Sequence, residues 1–121
     1  MTTAEYYERF DAMRHGIIEE LKERYIRNYL FCRYMEYQAN EYGMNDNPDG
    51  CADCRFWARD HYARADYAYR LSKLIVKKYF KMSLEEIAAI QDKWGDELCS
   101  RCIESKEKNF TDIADIYDED F

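Results

Sequence analysis

The sequence predicts an all-α fold, a bundle of three or four helices. Apolar residues recur at helical spacing over three long segments, and no run of alternating β-branched residues predicts a strand. The 121 residues include only one proline and four glycines, so few positions interrupt a helix. Because 47% of the residues are hydrophobic, the chain has enough apolar surface for one core. We therefore predict a single helical domain over residues 1–121, with an acidic tail from about residue 110.

The first segment, residues 3–42, predicts one long helix or two in line, with Gly16 as its only weak point. It carries two apolar stripes on nearly opposite faces. The first stripe consists of Ile17, Leu21, Cys32 and Met35, and the second of Ile26, Leu30, Tyr34 and Tyr37. A helix with two apolar faces either lies centrally in a bundle or uses one face to bind a partner. We assign the second stripe as a candidate partner-binding surface.

Turn-forming residues are concentrated in residues 43–54, which predicts a loop after the first helix. A second helix is expected over residues 55–80. A third begins at Ser83, because Ser83 and Glu86 have the spacing of a capping box, and it extends to about Asn109. The acidic residues after that point predict a short helix followed by a frayed end.

Four of the five cysteines form two pairs with the same spacing. Cys99 and Cys102 lie three residues apart on the third predicted helix, where Cβ atoms are about 5 to 6 Å apart, so both sulfurs can bind one ion. Cys51 and Cys54 lie in the predicted loop, whose backbone can bring their sulfurs together. If the second and third helices are antiparallel and each has about 25 residues, Cys99 and Cys102 come back beside Cys51 and Cys54. We therefore predict that these four thiolates bind a structural zinc ion.

Other roles for the cysteines stay open. The 44 residues between Cys54 and Cys99 exceed the spacing of about 15 to 20 that is usual in such sites. The alternatives are small thiols buried in a helical core, a redox-active pair, or an iron–sulfur cluster. A closed four-thiolate zinc site has no free coordination position, so it would stabilise the fold and would not catalyse a reaction. Cys32 is expected in the core.

No pattern in the sequence predicts catalysis. Neither His15 nor His61 has a catalytic or metal-ligand spacing, and His61 falls on an apolar face that predicts a core position. Phosphate loops, nucleophile elbows, metalloprotease helices and deaminase motifs are all missing. The first residues do not resemble a signal peptide, and no apolar run has the length of a membrane span. We expect a non-enzymatic cytoplasmic protein, and the reducing cytoplasm disfavours a disulfide framework.

Charge is segregated along the chain, whose net charge is −7. Residues 55–81 carry eight basic and two acidic side chains, whereas residues 82–121 carry four basic and twelve acidic ones. The leading hypothesis is a zinc-stapled helical protein that binds another protein or its own copy, as an adaptor, regulator or inhibitor. A third possibility, nucleic-acid binding through residues 55–81, is disfavoured because most aromatic residues of that segment are expected to face the core.

The alternative to protein binding is an acidic inhibitor that mimics nucleic acid and blocks a nucleic-acid enzyme, as some small anti-defence proteins of phages do. Its association with a basic channel would weaken steeply with salt. Ordinary solubility would also account for a net charge of −7 on a small domain. The acids available for such mimicry are Glu86, Asp96, Glu97, Glu104, Glu107 and those within residues 112–120.

Overall fold

The computed structural model describes residues 1–121 and contains helices but no strands. The helices are α1 (Thr3–Met44), α2 (Pro48–Lys78), α3 (Leu84–Glu107) and α4 (Thr111–Ala114). Three are long and the fourth is a single turn, which confirms the predicted all-α class and the number of helices. None of them combines the length and the apolar character that a membrane span requires.

α1 is one continuous helix of 42 residues, which at 1.5 Å per residue makes it about 63 Å long. It starts with a capping box in which the Glu5 N–H donates to the Thr2 hydroxyl at 3.1 Å and the Thr2 N–H donates to the Glu5 carboxylate at 3.3 Å. Residues before Leu21 are exposed or half-buried. The core therefore lies against the C-terminal half of α1.

α2 begins seven residues earlier than the sequence analysis predicted, so the loop between α1 and α2 is short. The Gly50 N–H donates to the Asn47 side chain at 3.0 Å, and Pro48 occupies the first turn, where its missing N–H costs nothing. A Cβ at Gly50 would lie 2.9 Å from the Tyr42 ring, so glycine lets the two helices approach closely. Cys51 and Cys54 therefore lie in the first turns of a helix and not in a loop.

α1 and α2 pack closely along their length. Small side chains on the inward face of α2 permit this approach, namely Ala58, Ala65, Ala68 and Ser72. α3 contacts the pair at fewer points and mainly through large side chains. The Trp94 ring stacks on the Tyr25 ring with centroids 6.0 Å apart, and Ile87 and Leu98 are buried. These bulky contacts leave room for a cavity beside α3.

The chain reverses after α3 and covers one side of α1. Asn109 and Phe110 both have a left-handed backbone, with φ of 51° and 59°, which is unfavourable for residues that carry a Cβ. Burial of the Phe110 ring, which is 8% exposed, offsets this cost. Further along the tail, the Tyr117 and Phe121 rings contact Phe31 with centroids 5.2 and 5.9 Å away. The acidic tail is therefore packed against the bundle.

Candidate partner-binding surface

The structure places the two cysteine pairs in different surroundings. Cys54 is buried in the same cluster as Cys32, and Cys51 packs against that cluster, whereas Cys102 packs against a separate one. Cys99 is exposed. All five thiols are free, and no three His, Cys, Asp or Glu side chains are grouped so that they could hold a metal ion. The four predicted zinc ligands do not converge in this structure, and the zinc site stays a prediction.

Burial also sets the protonation state of these thiols. It raises the pKa of Cys54 and of Cys102, and it raises the pKa of Cys32 to about 12, with a further increase from the neighbouring Glu36 carboxylate. The thiolate is the form that binds metals and attacks disulfides. With a raised pKa, these three cysteines are protonated near neutral pH and pack as small apolar side chains.

The apolar stripe predicted to bind a partner faces inward. Ile26 and Leu30 are 0% exposed, and the Tyr34 and Tyr37 rings pack against rings of the C-terminal tail at centroid distances of 5.6 and 5.3 Å. This corrects the expectation of an exposed stripe. The physical reason is that the tail and α3 cover this face. α1 therefore lies centrally in the bundle, which is the other explanation that the sequence allowed for a helix with two apolar faces.

The acidic surface is partly neutralised within the chain. The Lys22 ammonium lies 3.2 Å from the Glu97 carboxylate, and the Lys108 ammonium lies 2.8 Å from that of Glu104. The Ser105 hydroxyl donates to Asp112 at 2.8 Å. Fewer acids are therefore free to mimic nucleic acid than the sequence suggests.

The outward face of α2 presents apolar rings and cations together. Phe56, Tyr67 and Leu74 are 62%, 68% and 58% exposed. The expectation that most aromatic residues of this segment face the core is therefore wrong, because Tyr62 and Tyr79 are also 55% and 66% exposed. We call this face the outer stripe, which consists of Phe56, Arg59, Ala63, Tyr67, Arg70, Leu74 and Lys77. Its residues are spaced three or four apart, so they lie along one side of the helix.

Part of the positive charge of the outer stripe is unpaired. Arg70 forms an ion pair with Asp66 at 3.0 Å, but Arg59 and Lys77 form none. Single exposed apolar side chains are normal on a protein surface, but several of them in a row beside unpaired cations form a patch of the kind found at interaction sites. This combination favours contact with an anionic partner.

A groove between α1 and α2 adjoins the outer stripe and has a volume of about 580 Å³. Its apolar lining includes Leu21, Ala63, Tyr67, Ala68 and Leu71. Ala63 and Tyr67 belong to both features, so the groove and the stripe form one continuous surface. Phe121 of the acidic tail also lines the groove.

The tail shows what chemistry the groove accepts. The guanidinium groups of Arg24 and Arg27 lie over the Phe121 ring, 5.6 and 5.0 Å from its centroid. Arg64 donates a hydrogen bond to the backbone carbonyl of Glu119. Arginines at the groove therefore hold the Phe121 ring and a backbone carbonyl of the tail, and the tail carboxylates form no ion pair with them.

Sequence reasoning missed both features for different reasons. The outer stripe was detectable, because Phe56, Ala63, Tyr67 and Leu74 recur at helical spacing on a side opposite the alanines. The groove was not, because it depends on where the tail packs. No protein-family model matches the chain, and neither the curated proteins nor the solved structures include a significant match.

Proposed function

We propose that this protein is a non-enzymatic interaction protein that binds an acidic segment of a protein partner along the outer stripe and in the adjoining groove. The observation that carries the proposal is the packing of Phe121, in the chain's own acidic tail, against arginines at that groove. The rest of the groove is lined mainly by apolar side chains, together with Asn28 and the Asp60–Arg64 ion pair at 2.7 Å. A partner segment with similar chemistry would extend these contacts.

The composition of the surface also supports binding. Tyrosine and arginine contribute disproportionately to interface energy, and the surface contains Tyr67, Arg64 and Arg70. Burying the exposed rings would provide the hydrophobic contribution. The unpaired cations would orient and accelerate the approach of an acidic segment, so the association rate should fall with salt.

Nucleic-acid binding is the second candidate, because exposed rings between cations can stack on bases while the cations contact phosphates. The net charge of −7 opposes both candidates, but it repels a nucleic acid more strongly than a short acidic segment, because a nucleic acid carries a charge at every phosphate. A second copy of the chain and the mimicry of nucleic acid by the acidic surface are weaker candidates. No observation beyond charge favours either of them.

A binding titration with two probes tests the proposal. The first probe is a fluorescent peptide that copies residues 111–121, and the second is a fluorescent single-stranded oligonucleotide. We expect the peptide to bind at low salt and the double variant Tyr67→Ser, Arg70→Glu to bind it at least tenfold more weakly. Tyr6→Ser is the matched control, because Tyr6 is also exposed but lies at the start of α1, far from the stripe.

A variant of the tail distinguishes the contribution of the groove to binding from that of the outer stripe. Phe121→Ser removes the ring by which the chain's own tail occupies the groove. The peptide then has no internal competitor, so it should bind more tightly. Tighter binding of the oligonucleotide than of the peptide would favour the nucleic-acid candidate. Failure of both probes to bind, or equal binding by the stripe variant and the control, rejects the proposed surface.

We also propose that the protein acts in the cytoplasm and that zinc staples the fold, as the cysteine spacing predicts. Each pair lies three residues apart on a helix, so each is a possible half-site with two sulfurs. The halves would have to meet through a rearrangement of α3 relative to α2. Labelling of the thiols, described in the Discussion, tests this proposal.

A further inference from the structure

A second cavity, separate from the groove, lies where α1, α2 and α3 meet. Its volume is about 240 Å³. Four tyrosines from α1 and α2 supply most of its lining, and they are Tyr25, Tyr29, Tyr62 and Tyr69. Ala65, Asp66, Gln91 and Gly95 complete it. The outer stripe contributes no residue to this cavity.

The tyrosines form a continuous row of rings. Tyr25 lies 5.2 Å from Tyr69 and 6.3 Å from Tyr29 between centroids, and Tyr29 lies 6.1 Å from Tyr62. Trp94 stacks behind Tyr25 and supports it. Ring faces carry partial negative charge, so several rings around one cavity create a site that favours a cation.

The chain's own contacts show this preference. The Arg33 guanidinium lies 5.3 Å from the centroid of the Tyr29 ring, one of the two inner rings of the row. Within the cavity, the Asp66 carboxylate is the one charged group of the lining. Its ion pair with Arg70 is weak competition, because the Arg70 side chain is 78% exposed and such pairs contribute little. Both the rings and the carboxylate therefore favour positive charge.

Two further residues of the lining are compatible with a ligand in the cavity. Gly95 lies within α3, where glycine is destabilising relative to alanine, yet a Cβ at this position would meet no atom within 4 Å. Its lack of a side chain leaves the cavity open. The Gln91 amide nitrogen is buried without a hydrogen-bond partner, and an amide rotated by half a turn would present its oxygen there instead.

We infer that this cavity binds a small organic cation, a quaternary ammonium or methylated ammonium group, between the four tyrosines and Asp66. The group belongs either to a free metabolite such as choline or to a methylated lysine of a protein. The inference does not depend on the proposed function, because no residue lines both this cavity and the groove or the outer stripe.

Calorimetric titration with choline tests the inference, and 3,3-dimethylbutanol, which has the same shape without the charge, is the control ligand. We expect choline to bind and the neutral analogue to bind at least tenfold more weakly. Tyr62→Ala and Asp66→Asn should each weaken choline binding about 2- to 30-fold, the range expected for lost cation–π or charge contacts. A trimethyl-lysine peptide in a parallel titration distinguishes the two sources, since a protein-borne cation predicts tighter binding of the peptide than of choline.

Variants at the margin of the cavity keep the test independent of folding. Gly95→Leu places a side chain in the open space, so it should abolish choline binding while the helical circular dichroism signal is retained. Tyr7→Ala is the matched control, because Tyr7 is exposed at the start of α1 and lies outside the cavity. Equal binding of the neutral analogue, or unchanged choline binding in folded Gly95→Leu, would overturn the inference, as would the absence of choline binding to the unaltered protein.

Discussion

A chain of buried polar groups joins the three parts of the molecule at His61, which is 0% exposed. The Asn28 amide nitrogen donates to the Arg24 carbonyl at 2.9 Å, which leaves its oxygen facing His61 Nδ1 at 2.8 Å. His61 Nδ1 therefore carries the proton, and Nε2 accepts from the Tyr117 hydroxyl at 3.1 Å. Every group in this hydrogen-bond network has a partner, so the network specifies how α1, α2 and the tail fit together.

Removing the Tyr117 hydroxyl should destabilise the fold. Tyr117→Phe keeps the ring contacts but leaves His61 Nε2 buried without a donor, so we expect the free energy of unfolding to fall by about 1 to 3 kcal/mol. Urea denaturation measures this change. Tyr6→Phe removes an exposed hydroxyl and serves as the control. A loss below about 0.5 kcal/mol, the range of ordinary surface substitutions, would show that the hydrogen bond does not hold the tail.

His61 also predicts how stability depends on pH. Burial lowers the pKa of His61 below its ordinary value of 6.5, and Arg64 lowers it further, while Asp60 and Asp118 act in the opposite direction. The unfolded chain therefore binds a proton in a pH range where the folded chain does not. The contribution of His61 is fully present above pH 6.5 and decreases as the pH falls from 6.5 towards the lower pKa of the folded state.

We therefore expect the urea midpoint to be lower at pH 5.5 than at pH 7.5, two values that bracket the ordinary pKa of histidine. In His61→Gln, which keeps a polar side chain that cannot be protonated, the difference between the two midpoints should shrink. An equal difference in both proteins would assign the pH dependence to other groups.

At the scale of the helices, local signals in the sequence were sufficient for most boundaries. The capping box at Ser83 marks the start of α3. Apolar periodicity predicted α1 as one helix or two in line, and the structure has the single helix. The start of α2 was missed because Asn47, Pro48 and Gly50 are typical of loops, although asparagine before proline is also a favourable helix start. The buried face of α1 could not be assigned, because residues about 80 positions later in the chain cover it.

The two capping boxes predict unequal losses of stability. Ser83→Ala removes the cap of α3 only four residues from Ile87, which is 4% exposed, so fraying there would expose the core. We expect a loss of about 1 kcal/mol. Thr2→Ala removes the equivalent cap of α1, whose first turns are exposed and can fray without loss of packing. It is the matched control and should cost less in the same denaturation experiment. A larger effect of Thr2→Ala would contradict the view that the start of α1 lies outside the core.

At the scale of the whole molecule, the position of α3 decides what the cysteines can do. The predicted lengths of α2 and α3 correctly bring the C-terminal part of α3 back towards the cysteines of α2, because the two helices are consecutive and both are long. It does not determine on which side of α1 the third helix packs. In the structure Cys102 lies near Arg33 and Tyr37, whereas Cys54 lies near Tyr34 and Tyr117. Helix lengths therefore predict where along the bundle two residues meet, and only packing determines whether they touch.

This arrangement predicts the order in which the thiols react with a maleimide under native conditions. Exposed Cys99 should react first, and buried Cys32, whose pKa is raised to about 12, should react only after unfolding. Mass spectrometry of labelled peptides gives the order, and Cys99→Ser, which should lose the fast phase alone, is the control. A zinc ion on Cys51, Cys54, Cys99 and Cys102 would instead protect all four until a chelator is added. Fast labelling of Cys99 without a chelator, in protein purified without a metal-affinity tag, would exclude the four-cysteine site.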